Sequence, residues 1–387
     1  MQQSALLCLN AGSSSIKFAY YHAKESACDL VYRGGVSDIQ HHPQLMIHDS
    51  SQRPLVSTML SQPTYTGALE AILAFLKDTD TDKDIMIGHR VVHGGERYEK
   101  PVIIDDVVYT YLQTLIPLAP LHQPFHLQVI DYIRQWKPDL VQVACFDTAF
   151  HRTQPALELH YPLPQKWTKK GIIRYGFHGL SYDYIVSHFQ EIVGKTLPKK
   201  TIIAHLGNGA SLCAVKEGKS VATTMGFTPL EGLMMGTRSG TIDPGIIFYL
   251  IEEQGMSVEA VKNLLLYESG LKGVSGLSHD VKILLESGND KAQQAIQLYC
   301  YRIAREISSL LMTLGGLDAV IFTAGVGEHA ALIRTNVCEH LHWLGIRINN
   351  DANQENQTIF SAADSSISLY VIPTNEEKMI AEYLGNF

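Results

Sequence analysis

SALLCLNAGSSSIKFAYY, residues 4–21, reads as an apolar strand, an Asn-x-Gly turn with a serine-rich tip, and a second, alternating strand. TIIAHLGNGASLCAVKEG, residues 201–218, reads the same way: an apolar strand, a Gly-Asn-Gly turn, then Ser211 and Leu-Cys-Ala-Val. Two hairpins with small, amide-rich tips, one in each half of the chain, point to a duplicated domain. Two unrelated hairpins would look alike here, because Gly and Asn favour such turns in any fold.

Outward from these hairpins, further β-rich runs end in Gly, Asn or Asp: KDIMIGH (83–89), DLVQVACFD (139–147) and DAVIFTAG (318–325). Between them lie helical periodicities at 66–77, 125–136, 181–193, 243–254, 290–314 and 328–343. Strands alternating with helices predict an α/β protein with mixed sheets. At 387 residues, and roughly 150 residues per domain, two or three domains are expected. Hydrophobic residues at 45% and charged residues at 18% exclude wholesale disorder. The net charge of −8 and the lack of a dense Lys/Arg block argue against a nucleic-acid partner. No apolar run reaches the roughly 18–20 residues of a membrane span, and MQQSALLCLNAG lacks the basic start of a signal peptide. The six scattered cysteines form no CxxC pair, which fits reduced, buried thiols in a cytoplasmic protein.

Several segments carry chemistry. The tip Asn10-Ala-Gly-Ser-Ser-Ser-Ile-Lys17 offers backbone N–H groups, hydroxyls, an amide and an ammonium, a phosphate-facing set. HRVVHGGERY (89–98) sets Arg90 at a strand end beside glycines, and GFTPLEGLMMGTRSGTIDPG (226–245) embeds Arg238 in a turn-rich stretch. An arginine fork grips a phosphoryl group or a carboxylate through two oxygens at once. RYGFHGLSYDYI (174–185) puts His178 between glycines ahead of a helix, where it could act or simply bond a carbonyl. Asp147 closes an apolar strand, either as a functional acid or as a turn cap. His122, bracketed by prolines, is open between a structural and a catalytic role. Three patterns are set aside. Gly194-Lys-Thr lacks the first glycine of a Walker loop, Phe189 standing there instead. Gly325-Val-Gly-Glu-His-Ala330 fits a dinucleotide fingerprint, but the nearest ribose acid, Asp351, comes too late; such a turn can equally hold a mononucleotide. Cys338, His340 and His342 lack the further ligands a metal site needs.

Taken in order, NAGSSSIKF, HRVVHGG, PLAPLHQP, FDTAFH, YGFHGLS, HLGNGASL, MGFTPLEGLMMGTRSG, GVSGLS, TAGVGE and PTNEE run from Asn10 to Glu377 and resemble the acetate kinase family. The resemblance implies the acetate and sugar kinase/Hsp70/actin superfamily: two duplicated, ribonuclease-H-like or actin-like ATPase lobes around a nucleotide cleft. Residues 1–147 plus 374–387 would form the first lobe, with the metal and acyl side. Residues 148–373 would form the second, with nucleotide binding and a homodimer interface. The implied reaction is reversible phosphoryl transfer from ATP to acetate, giving acetyl phosphate and ADP, in the cytoplasm. Mg2+ is the implied cofactor, with Mn2+ as a substitute. A kinase of propionate or another short-chain acid is the alternative, and neither nucleic acid nor membrane is an implied partner.

By the same resemblance, the metal site falls on Asn10 and Glu376, and the catalytic set on Asp147, His178 and Arg238. Arg90, Val92, Leu121, Phe177 and Pro229 match the substrate site. The nucleotide site matches Lys17, the run His205, Leu206, Gly207, Asn208 and Gly209, the run Asp280, Val281 and Lys282, and the run Gly325, Val326, Gly327, Glu328 and His329. Three positions depart from the family pattern: Lys282 replaces an arginine, His329 an asparagine, and Thr241 an aspartate. A carboxylate is already nucleophilic at neutral pH, so the implied reaction needs alignment and relief of charge repulsion more than a base. Asp147 is then better suited to orienting an arginine or a metal-bound water than to abstracting a proton. A protonated or hydrogen-bonding His178 would add to the field of the two arginines.

Overall fold

The 4–21 stretch folds as expected into strands β1 (Ala5–Ala11) and β2 (Ile16–Ala23), antiparallel in register from Ala5 opposite His22 to Ala11 opposite Ile16. Its counterpart forms β9 (Lys200–Leu206) and β10 (Ala210–Lys216), with the turn closed by a Gly207 N–H bond to the Gly209 carbonyl at 3.1 Å. The computed structural model describes residues 5–12, 14–24, 28–79, 85–120 and 122–387. The chain divides into two units, residues 1–149 with 375–387, and residues 150–374.

In the first unit, β3 (Cys28–Ser37), β4 (Gln44–Asp49) and β5 (Pro54–Met59) continue the antiparallel meander from β2. On the other side of β1, β6 (Ile85–Val91) pairs in parallel, followed by β8 (Gln142–Phe146), with the short β7 (Val102–Ile103) at the edge. The strand order is β5-β4-β3-β2-β1-β6-β8-β7. In the second unit β11 (Lys219–Thr223) extends the meander, while β12 (Ala319–Thr323) and β13 (Ser368–Val371) add in parallel beyond β9, giving β11-β10-β9-β12-β13. Three antiparallel strands followed by two parallel ones therefore occur twice, and the paired hairpins are the local trace of a duplicated topology.

Cores follow from the sequence pattern. Leu7, Leu9, Phe18, Tyr20 and Ile47 of the first sheet pack with Leu69, Ile72 and Leu76 of helix Tyr65–Thr79 and with Val129 and Ile133 of helix Gln123–Trp136. Glu376–Leu384, from the far end of the chain, lies against β1 and β6. A Cβ on Gly88 would meet Ile380 Cγ2 at 2.4 Å, so only glycine lets this helix approach β6 so closely. In the second unit helix Asp290–Leu314 buries Ile296, Cys300, Ile303, Ile307, Leu310 and Leu314, a stripe at helical spacing. The run 328–343, expected as one helix, is instead Ala324–His329, Ala331–His340 and a turn at His342–Leu344. Arg334 explains the break. Fully buried, it donates to the carbonyls of Gly327 and Glu328 at 2.8 and 3.0 Å, taking up acceptors that a continuous helix would use itself. All six cysteines are free, five of them buried. No helix among the described residues is long and apolar enough to cross a membrane.

Candidate active site

In the first unit the charged residues gather around Arg90, which the parallel pairing of β6 with β1 and β8 places beside the carboxyl ends of both neighbours. Arg90 Nε donates to both oxygens of Asp147 at 3.2 and 3.1 Å, and Nη2 donates to Asp147 Oδ2 at 2.7 Å. Its Nη1 donates to Asn10 Oδ1 at 3.2 Å and lies 3.1 Å from Glu376 Oε2. Asn10 Nδ2 donates to Glu376 Oε2 at 3.1 Å and to Glu377 Oε1 at 3.5 Å. Lys17, exposed on β2, is the ladder partner of Asn10. Asp147 is fully buried, and burial lifts its carboxyl to about 6 while the Arg90 charge pulls it down and Glu376 pushes it up. Burial works against the Arg90 charge, but Asp147 and Glu376 outweigh it and hold the guanidinium ionised.

Buried histidines that the sequence did not single out support this cluster. His89 Nε2 pairs with Gln142 Oε1 at 2.8 Å, and burial lowers its pKa to about 4. His126 Nδ1 accepts from the Val92 N–H at 3.1 Å, and burial, with Arg90 adding to it, keeps the ring neutral. His93 Nδ1 accepts from the Gly95 N–H at 2.9 Å, shaping the glycine turn after Arg90. His122 stands at the start of helix Gln123–Trp136 and makes no side-chain cap. Ser13 of the hairpin tip and Leu121 of the acyl set lie outside the described residues.

In the second unit His178 begins helix Gly179–Val193 in the left-handed region, with φ of 61°. Such a backbone is strained for a residue with a Cβ, and strain of this kind is commonly held where a side chain must point one way. Its Nδ1 lies 2.8 Å from Ser211 Oγ, and its ring stacks on His205 at 4.1 Å. His205 Nδ1 pairs in turn with Ser181 Oγ at 2.8 Å. A Cβ built on Gly209 would lie 3.5 Å from His178 Nε2 and 3.6 Å from Arg238 Nη1, so the two side chains converge on this glycine turn. Arg238 Nη1 also donates to the Pro229 carbonyl at 3.0 Å. The 226–232 loop that carries Pro229 is braced by Glu231, which accepts from Arg174 at 2.7 Å and from the Tyr161 hydroxyl. Tyr161 accepts from the Phe227 N–H at 2.7 Å.

The remaining expected positions divide by exposure. Asn208, Lys282, Gly325 and His329 are exposed, whereas Leu206 and Val281 point into the core. Asp280 caps its helix by accepting from the Lys282 N–H at 2.8 Å. Glu328 ties its turn to the Thr374 N–H at 3.1 Å. Val92 in the first unit and Phe177 in the second are buried, and Pro229 is half-buried. The glycines at 325 and 327 lie in helix Ala324–His329, straight after β12, in a sheet that is antiparallel on its other side, unlike the doubly wound sheet of dinucleotide enzymes. Among the described residues no group of three or more His, Cys, Asp and Glu side chains could hold a metal alone.

The model of the Acetokinase family matches residues 5–382. An acetate kinase of Rhodopseudomonas palustris (strain TIE-1) is 44% identical over 386 residues, covering 98% of this chain and 97% of the relative. The crystal structure of a propionate kinase from Francisella tularensis subsp. tularensis SCHU S4 is similar at a TM-score of 0.91 and 38% identity, covering 98% of each chain. That of Porphyromonas gingivalis acetate kinase gives 0.85 and 37%, again over 98% of each. With the family model spanning nearly the whole chain and full-length relatives above 40% identity, the chain belongs to the acetokinase family.

Proposed function

We propose that this protein is an acetate kinase, transferring the γ-phosphoryl group of ATP to acetate and, in reverse, phosphorylating ADP from acetyl phosphate. The observation that carries the reading is the convergence of His178 Nε2 and Arg238 Nη1 on Gly209, at the Gly207-Asn208-Gly209 turn. Two fixed donors at an amide-rich turn suit a phosphoryl group in flight, whose charge spreads over its equatorial oxygens. One acetate oxygen forms the new bond to phosphorus as the bond to the ADP oxygen breaks. No proton need be removed from acetate at neutral pH. Asp147, with both oxygens engaged by Arg90, is read as the residue that orients that arginine towards the acyl carboxylate, rather than as a base.

Asn10 Oδ1 and the Glu376 carboxylate are hard oxygen donors side by side, and Asp147, Glu376 and Glu377 outnumber Arg90 and Lys17. That partial set suits Mg2+, which keeps waters and takes substrate phosphates for its other positions. When bound, the ion neutralises phosphate oxygens of the nucleotide. Lys17 is assigned to the phosphates, and Lys282 and His329 to the nucleoside end. Val92, Leu121, Phe177 and Pro229 are assigned to the methyl group of acetate. Helix Pro244–Glu252 exposes Ile246, Phe248 and Tyr249 and buries none of its residues, which supports a homodimer formed through the second unit. A cytoplasmic location accords with six free cysteines.

The test is acyl-phosphate formation, trapped with hydroxylamine, using ATP and Mg2+ with acetate, propionate or butyrate. Acetate should give the highest kcat/KM. Equal values for acetate and propionate would reassign the protein as a broader short-chain acyl kinase, and no acyl phosphate from any acid would reject the reaction.

A further inference from the structure

We propose that Tyr182 and Ser211 are positioning residues that hold His178 as a neutral imidazole with its proton on Nε2, an inference that rests on the role given to His178 above. Ser211 lies on β10 opposite His205, and Tyr182 lies in the first turn of helix Gly179–Val193. Both are fully buried. Ser211 Oγ is 2.5 Å from Tyr182 Oη and 2.8 Å from His178 Nδ1, so the serine hydroxyl sits between a phenol and an imidazole.

Counting hydrogens fixes the direction of the chain. Burial, reinforced by the nearby Cys213, pushes the Tyr182 phenol well above its ordinary range, so it keeps its proton. Among the described residues Ser211 is the hydrogen-bond partner of that phenol, so the Tyr182 O–H donates to Ser211 Oγ. The Ser211 hydrogen then goes to the other neighbour, His178 Nδ1, which must accept it. An imidazole that accepts at Nδ1 carries its proton at Nε2, the atom that approaches Gly209. Protonating Nδ1 as well would leave three hydrogens for two contacts, one of them buried without an acceptor. The Arg238 cation, which converges on the same glycine, opposes a second positive charge on the ring. Of the two states expected for His178, protonated or simply hydrogen-bonding, the network selects the second. Arg238 brings the charge to the phosphoryl group, and His178 brings an oriented N–H.

The chain explains features that the catalytic residues alone do not. The left-handed backbone at His178 sends its ring back over β9 and β10 to reach Ser211. Phe150 and His151 enclose the Tyr182 ring, at 6.3 and 5.6 Å between centroids, so the phenol that starts the relay is held by packing.

The experiment is a two-bond 1H–15N correlation spectrum of the full chain labelled with 15N-histidine, with His178 assigned by the signals lost in His178→Gln. Wild type should show a neutral Nε2–H pattern for His178 between about pH 6 and 8, the range over which a free histidine titrates. Ser211→Ala should mix the tautomers and lower kcat by about 10–100-fold, the scale of a misplaced catalytic group, with little change in KM for ATP or acetate. Tyr182→Phe should give a smaller loss of the same kind, and Ser211→Thr, which restores a hydroxyl, should recover most of kcat. A wild-type spectrum with Nδ1 protonated overturns the proposal, as does a Ser211→Ala enzyme with unchanged tautomer and kcat. His178→Gln at wild-type kcat would instead remove the catalytic role of His178, while the wild-type spectrum still judged the hydrogen-bond chain.

Discussion

Asn10 and Glu376, 366 positions apart in sequence, meet through a 3.1 Å hydrogen bond from Asn10 Nδ2 to Glu376 Oε2. Both also contact Arg90, so one end of the chain completes a cluster begun at the other. If this pair contributes to the metal site, Glu376→Gln keeps the shape but loses the charge that attracts a cation. The Mg2+ concentration giving half-maximal rate should rise by at least about 10-fold, equivalent to roughly 1.4 kcal/mol. An Mg2+ titration that superimposes on wild type removes Glu376 from the metal site.

Asp147 is fully buried against the partly exposed Arg90, so truncating the arginine strands a buried carboxylate. Arg90→Ala should destabilise the protein by about 3–5 kcal/mol. Adding Asp147→Asn should recover part of that stability, because the fully buried carboxylate is gone and Glu376 alone has lost its cation, while acyl-phosphate synthesis stays low. Thermal melts and rates on the two single variants and the double form the cycle; recovery of activity along with stability would mean Arg90 is only structural.

Arg238 donates to the Pro229 carbonyl and converges with His178 on Gly209, so its loss should fall mainly on the transition state. Arg238→Ala should lower kcat by roughly 10^2–10^4 with a smaller change in KM for ATP. Near wild-type turnover in this variant would show that the phosphoryl group is stabilised elsewhere.

Val92 is buried and branched, and its N–H is fixed to His126, so its side chain cannot easily swing aside. A single methylene in a small apolar pocket is worth about 1–3 kcal/mol, which limits discrimination against propionate to roughly 10–200-fold. Val92→Ala should improve propionate relative to acetate. An unchanged ratio of kcat/KM values would place the acyl group away from Val92.

The duplication and the main parallel strands were legible because strand patterns and turn chemistry are local. The extra strands β3 to β5 and the break at Ala330 were not, since the first depends on edge pairing and the second on Arg334 reaching back to carbonyls of the preceding turn. Arg90 and Arg238 stood out as lone cations among glycines. Ser211 and Tyr182 did not, because a serine in a strand and a tyrosine in a helix carry no sequence signal of the hydroxyl chain that joins them. Val281 was drawn into the nucleotide set by its neighbours, yet its side chain is core.

Acid should weaken the fold within a defined window. Burial lowers the pKa of His89 and of His151 to about 4, against about 6.5 in an unfolded chain. Above pH 6.5 both are neutral in either state. As pH falls from 6.5 through 4, the unfolded chain takes up protons that the folded one refuses, removing about 3 kcal/mol of stability per histidine. Asp147 acts with the opposite sign: its carboxyl, raised to about 6, gains a proton in the folded state first and offsets part of the loss. Melting temperatures between about pH 7 and 4.5 should therefore fall, and a flat profile would contradict the burial of these imidazoles.

The helix Glu376–Leu384 covers β1 and β6, yet ribosomes make it only after all of residues 150–374. A nascent chain grows at about 5–20 residues per second, so the first sheet waits on the order of tens of seconds with one face of Gly88 open to solvent. The first unit is thus begun before the second and finished after it. Because Glu376 rides on that helix, a chain stopped before it would lack both the cover of its oldest strands and an acid of its Arg90 cluster. The Arg90 cluster is therefore complete only once the helix that follows the second unit has been made.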